Sequence, residues 1–159
     1  MDKLLKLLKA NALESPKNLA KMLDLTETEV KAKISGFEKA GVIRGYQAIV
    51  NEDLLNLNRV RAVIEVKVTP EREGGFDRVA ARISGFPEVR SMFLMSGAYD
   101  LLVIVEDDNL REVAGFVSEK LATIQGVLST STHFMLKTYK DQGVLMAQEE
   151  KDERLKVSP

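Results

Sequence analysis

Cysteine is absent from the 159-residue chain, which excludes a disulfide framework, a thiol nucleophile and a thiolate metal site. A single histidine, His133, rules out a histidine-rich metal centre within one chain, and there is no tryptophan. No apolar run approaches the roughly 18 residues of a membrane span. The start, Met1 to Lys9, has the look of a signal peptide, but lysine interrupts it every two or three residues. These absences lead us to expect a folded cytoplasmic protein with no membrane partner, no metal and no cofactor.

What is present is a 45% hydrophobic fraction, enough for packed cores in one ordinary domain or two small ones. The net charge of −1 conceals an asymmetry. Residues 1–45 carry nine basic and six acidic side chains, and the remainder carries fourteen and eighteen. A basic front and an acidic back predict that only the front meets a polyanion.

In the front, Leu4, Leu5, Leu7 and Leu8 line one side of an expected helix from Asp2 to about Leu13. Ser15-Pro16 opens a second helix with Leu19, Ala20, Met22 and Leu23 as its buried stripe. Asp24-Leu25 leaves room only for a sharp turn, and aspartate tolerates the left-handed region better than most residues. Thr26-Glu27-Thr28-Glu29 is a capping box, so a third helix starts there and runs to Ala40, stopped by Gly41.

With Val30, Ile34 and Phe37 turned inward, that helix presents Thr28, Ala32, Ser35 and Lys39 outward, with Lys31 and Gly36 at the margins. Two helices joined by a short turn, the second small-faced and edged with lysine, describe a helix-turn-helix whose second member fits a DNA major groove. Ala32 and the Thr28 methyl would meet a thymine methyl, and Ser35 a phosphate or base edge. Lys31, Lys33, Lys39 and Arg44 would meet phosphates, with Thr26 at the helix start counted on the same face. An ordinary three-helix unit is the competing reading of the same pattern. Val42 to Val50 follows as an extended segment.

Residues 51–58 lose both periodicities and form the expected linker between a domain at 1–50 and one at 59–140. From Arg59 to Val68 the alternation is that of a strand with one buried face, and after Gly74-Gly75 the spacing of Phe76, Val79, Ala80 and Ile83 is helical. Two apolar runs, Met92 to Met95 and Leu101 to Val105, flank Ser96-Gly97-Ala98-Tyr99-Asp100 and read as a hairpin. Its tip has the groups to hold the amine and carboxylate of a small molecule, or it is simply a turn. Asp107 or Asp108 caps a helix with the stripe Leu110, Val113, Val117, Leu121 and Ile124, and a last strand runs from Val127 to about Tyr139. The order βαββαβ is that of a ferredoxin-like sandwich with one open sheet face, which a second copy would cover. In the tail, residues 141–159, Val144 to Met146 and Leu155 to Val157 would add short edge contacts around a solvated acidic middle.

The pieces Leu19-Ala20, Leu25-Thr26, Glu38-Lys39-Ala40-Gly41-Val42-Ile43, Gly45-Tyr46 and Ser96-Gly97-Ala98-Tyr99-Asp100, in this order and spacing, resemble the Lrp/AsnC group of transcription regulators over nearly the whole chain. The resemblance implies an α+β protein: an N-terminal winged helix-turn-helix joined to a βαββαβ ferredoxin-like ligand-sensing domain. It also implies double-stranded DNA as partner, homodimers that assemble further to octamers, and an amino acid or similar metabolite bound where sensing domains meet. Carried over by position, the effector residues are Leu94, Ser96, Gly97, Tyr99 and Asp100, faced by His133, Phe134 and Met135. The chain departs from the group at Lys33, Ser35, Gly36 and Lys39, where several arginines are usual. Fewer phosphate partners predict weaker, less salt-dependent binding by one dimer.

Two other readings compete. Siroheme decarboxylases resemble the same scaffold, with His133 the one imidazole available, but the lack of a second histidine and of tryptophan argues for a protein that is not an enzyme. The other is a sensing module whose front half has lost DNA binding.

Overall fold

Asp2 opens the first helix, α1 (Lys3–Ala10), by accepting a hydrogen bond from the Leu4 N–H at 2.7 Å. The computed structural model describes residues 1–55, 57, 59–70 and 75–146. α1 ends three residues before the expected Leu13, because Asn11 takes an extended conformation and its side chain accepts from the Leu13 N–H. Ser15 and Pro16 start α2 (Pro16–Leu23) as expected, and Asp24 closes it in the left-handed region at φ 54°. Met22 leaves the predicted stripe and is 60% exposed. It sits at the edge of the arc set by Leu19, Ala20 and Leu23, and its long side chain turns to solvent.

Both halves of the Thr26–Glu29 capping box form at the head of α3 (Glu27–Lys39). Gly41, at φ 69°, then reverses the chain, a conformation that glycine adopts without a Cβ clash. Leu4, Leu8, Leu19, Ala20 and Val30 make one core, with Ile34, Phe37 and Ile43 packed against it. The segment from Val42 to Val50 is bonded to no strand. Its Val42 and Ile43 N–H groups donate back to the Phe37 carbonyl, and Val42, Tyr46, Ile49 and Val50 stay exposed.

The chain divides into two compact units, the first from Met1 to Ile49 and the second beginning at Val50. Within the linker expected at 51–58, Glu52–Leu54 forms a short 3-10 turn, while 56 and 58 lie outside the described residues.

In the second unit, β1 (Val60–Val68) is followed by α4 (Asp77–Ser84), β2 (Val89–Leu94), β3 (Leu101–Asp107), α5 (Leu110–Gly115) and β4 (Val127–Phe134). The strands form one antiparallel sheet in the order β2-β3-β1-β4. That is the ferredoxin-like arrangement that βαββαβ predicts. Alternation puts Ala62, Ile64, Val66 and Val68 of β1 into the core with Leu101, Val103 and Val105 of β3. Val79 and Ile83 of α4 close over them, as their spacing predicted.

Three details differ from the reading of the sequence. The cap of α5 is Asn109, whose side chain accepts from the Glu112 N–H, and neither Asp107 nor Asp108 fills that role. Leu110, the first residue of α5, is 56% exposed, and beyond Gly115 the helix widens into π-helical turns at Phe116–Leu121. The wider turns rotate Phe116 inward, where its ring meets Phe86 edge to face at 5.5 Å. Finally, β4 stops at Phe134 rather than Tyr139, and after it β5 (Lys140–Asp141) pairs with β6 (Val144–Leu145). Met146 is buried, whereas the expected contacts of Leu155 to Val157 and the acidic segment before them lie outside the described residues.

Candidate functional site

Two places bring the sequence-predicted residues together. The first is the outer face of α3. Thr28, Lys31, Ala32, Lys33 and Lys39 are all exposed, and Ser35 is half-buried beside them. The Thr26 hydroxyl is taken up by Glu29, donating to Oε2 at 2.7 Å and accepting from the Glu29 N–H at 3.2 Å. Lys31 is paired with Glu27 at 2.7 Å, so to reach a phosphate it must exchange one anion for another. Arg44 folds back towards the end of α3: a Cβ on Gly41 would come 3.2 Å from its Nη1.

All the acids of this unit but the exposed Asp24 are tied up locally. Glu14 accepts from Asn11 and Asn18, Glu38 accepts from the Tyr46 hydroxyl at 3.0 Å, and Asp2 and Glu29 serve as caps. The hydrogen bond and charge of Lys31 hold the Glu27 carboxyl below the usual carboxylate range. Glu29 is lowered by the Thr26 backbone and hydroxyl. What remains directed to solvent is mostly basic.

Since Glu29 is lowered on folding, the capping box is intact above the ordinary carboxylate pKa and is lost as pH falls through the lower value of the folded state. In an acid titration followed by NMR, the Thr26 amide is expected to shift with that lowered pKa. Thr26→Ala should cost about 1 kcal/mol and move the Glu29 midpoint upward. A midpoint indifferent to the substitution would deny the hydroxyl its part.

The second place is the bend between β2 and β3. Gly97 has φ 145° with open space where a Cβ would stand, so the backbone angle, not crowding, demands glycine. Leu94, Ser96 and Gly97 are exposed, and Tyr99 and Asp100 half-buried. Asp100 locks the bend. Its N–H donates to the Val66 carbonyl at 3.0 Å, its carbonyl accepts from the Met95 N–H at 2.8 Å, and its Oδ2 accepts from the Val68 N–H at 2.9 Å. Nothing in the sequence pattern announced that last bond, which joins residues 32 apart.

The remaining effector candidates lie elsewhere in the chain. His133 stands opposite Val63 and Phe134 opposite Ala62, and the Met135 N–H donates to the Arg61 carbonyl. They therefore lie along the first half of β1, His133 opposite its fourth residue, while Asp100 is bonded towards its end, from about 10 Å away along the strand for His133 to about 20 Å for Met135. One chain does not unite the two groups. On the open face, His133 Nε2 lies 3.5 Å from Glu65 Oε1 and 3.3 Å from Ser131 Oγ. Both neighbours meet the same ring nitrogen, so the three do not form a proton relay, in which each nitrogen needs its own partner.

A feature the sequence did not reveal is a polar cleft of about 330 Å³ where β1 starts and β3 ends. Glu106, only 9% exposed, anchors it with Arg59 at 2.7 Å, Arg61 at 3.4 Å and Arg90 at 3.8 Å. These charges are spread over elements far apart in sequence, so no local spacing could have pointed to them.

Comparison with known proteins adds the following. Residues 61–145 match the model of the Lrp/AsnC ligand binding domain. An uncharacterised HTH-type transcriptional regulator of Bacillus subtilis, YugG, is 43% identical, with 98% of this chain and 95% of that protein covered. The proline dehydrogenase transcriptional activator of Rhodobacter capsulatus is 29% identical over 84% and 86%. Among solved structures, the transcriptional regulator NMB0573 of Neisseria meningitidis, in complex with L-Met, superposes with a TM-score of 0.68 at 26% identity, covering 89% of this chain and 93% of that one.

Proposed function

The chain belongs to the Lrp/AsnC family of transcriptional regulators, and from that premise we propose that α3 reads duplex DNA while an amino acid binds at the Gly97 bend, between copies of the chain. It is a DNA-binding regulator and not an enzyme. The observation that carries the proposal is the separation of the effector residues. Asp100 is bonded towards the end of β1, whereas Met135 is bonded near its start and His133 stands opposite Val63 between them. A pocket using both groups takes the bend from one copy and the strand end from another, which ties ligand binding to assembly.

The chemistry of the bend suits an α-amino acid. Asp100 Oδ1 is left to meet an ammonium, the backbone around Gly97 can meet a carboxylate, and Leu94 and Met135 offer apolar walls for a side chain. The L-Met held by the Neisseria regulator supports the same class of ligand. On the DNA side, Ala32, Thr28 and Ser35 would meet base edges while Lys31, Lys33, Lys39 and Arg44 fix the register on phosphates. The open sheet face, with Val63, Leu102, Ile104 and Phe93, would join two copies, and dimers would build to an octamer.

A thermal-shift screen against the twenty amino acids, L-methionine first, tests the sensing half. A ligand at 100 times its dissociation constant adds about 2.7 kcal/mol to the folded state. A melting point moved by none of them refutes the amino-acid reading. Gel shifts on the gene's own upstream DNA between 50 and 200 mM salt test the other half, with retardation that weakens as salt rises. No retardation at concentrations that form the full oligomer would leave a sensing module.

A further inference from the structure

The lysines of α1 are placed against the interest of the helix. Lys3 and Lys6 stand in and next to the first turn, which carries no acidic residue. Exposed amides there make the helix start partly positive, so cations at that end are unfavourable. α3 shows the opposite habit, with Glu27 and Glu29 in its first turn and Lys39 in its last. A local rule broken in one helix and kept in its neighbour marks a surface with a use.

At about 100° per residue, Lys3, Lys6 and Lys9 fall within an arc of about 120°, centred opposite Leu4 and Leu8. Leu4 and Leu8 are buried in the same core as Val30 of α3. The lysine arc and the outer face of α3 therefore leave one core in different directions. No ion pair involves Lys3, Lys6 or Lys9 among the described residues. Asp2, the acid on the same arc, is engaged with the Leu4 N–H.

We propose that the Lys3–Lys6–Lys9 ridge of α1 is a second contact surface for duplex phosphates, indifferent to sequence, so that one head holds a second segment of DNA while α3 occupies the first. The proposal rests on the reading of α3 as the groove-binding helix. Charge complementarity identifies the occupant: three cations at one-turn intervals match a row of phosphates, and a duplex is the polyanion that a regulator meets. Ala10 lies exposed between Lys3 and Lys6 on the same arc, but the ridge carries no aromatic side chain for stacking, so its contacts are mainly to the backbone.

The test uses the full-length protein with short duplex from its upstream region added only to the equivalence point of α3, since an excess would also fill a surface indifferent to sequence. A long random-sequence duplex is then offered. Wild type is expected to capture it, with capture falling about 40-fold between 50 and 200 mM salt, as three phosphate contacts require. The variant Lys3→Gln/Lys6→Gln/Lys9→Gln should bind the short duplex within about twofold of wild type and lose the long one, while the triple arginine variant keeps both. Circular dichroism confirms that the variants are folded.

Equal capture by the glutamine variant overturns the proposal. So does loss of short and long duplex together, which would assign the ridge to the same segment as α3. Preferential binding of the ridge to phosphatidylglycerol vesicles would overturn it in favour of a membrane surface. If wild type ignores the short duplex, the reading of α3 has failed by itself. Ridge-dependent capture of the long one would then still support the ridge.

Discussion

Val63→Asp is expected to leave a folded monomer and to abolish the dimer that the open sheet face is proposed to form. Val63 occupies the middle of the open sheet face, opposite Ile104 of β3 on one side and His133 of β4 on the other. One residue pair further on, Glu65 faces Leu102, which in turn faces Phe93 of β2. Within this unit α4 and α5 cover the other face of the sheet. A second copy would seal the apolar centre of this face and desolvate an aspartate there between Ile104 and His133, whose Nε2 is already turned to Glu65 and Ser131.

An uncompensated buried charge costs several kcal/mol, and a two-fold interface meets it twice. The dimer dissociation constant should rise by about 1,000-fold or more, which corresponds to about 4 kcal/mol. Sedimentation velocity reads the mass, and circular dichroism confirms the fold. Phe93→Lys, at a position already half open in the single chain, is the second variant should Val63→Asp fail to fold. Dimers that persist in both would remove the open face from the interface. Because two heads on one dimer raise each other's effective concentration, DNA affinity should fall together with the mass.

The sheet could be foreseen because its rules are local. Alternation in β1 puts Val60, Ala62, Ile64, Val66 and Val68 on one face, and all but the half-buried Val60 are buried. The capping box and the left-handed Asp24 were likewise written in neighbouring residues. What escaped prediction depends on contacts distant in sequence or on departures from a fixed helical period. A stripe drawn at 3.6 residues per turn cannot anticipate the π-helical widening at Phe116–Leu121, within which Phe116 is buried. Spacing cannot show that Asn109, rather than an aspartate before it, accepts from the Glu112 N–H. For the site, the bend and its glycine were legible, but the division of its candidates along β1 appears only with the register of β4.

That division gives Asp100 two separable duties, which a pair of substitutions can divide. One carboxylate oxygen, Oδ2, accepts from the Val68 N–H and fastens the bend to β1. The other is the group that the proposed function offers to a ligand's ammonium. Asp100→Ala removes both. Leaving the Val68 N–H without a partner should cost about 1–3 kcal/mol, and any amino-acid-induced thermal shift should vanish. Asp100→Asn keeps an oxygen for Val68 but turns an N–H₂ towards the ammonium, donor against donor. Its own stability should stay within about 1 kcal/mol of the natural chain while the ligand shift is lost as fully as in the alanine variant. Calorimetric titration with the amino acid found in the screen, on both variants, decides between the duties. An asparagine variant that binds as tightly as the natural chain would confine Asp100 to holding the bend, and the ammonium would need another partner. An asparagine variant as unstable as the alanine one would show that the bond to Val68 requires the full charge of a carboxylate.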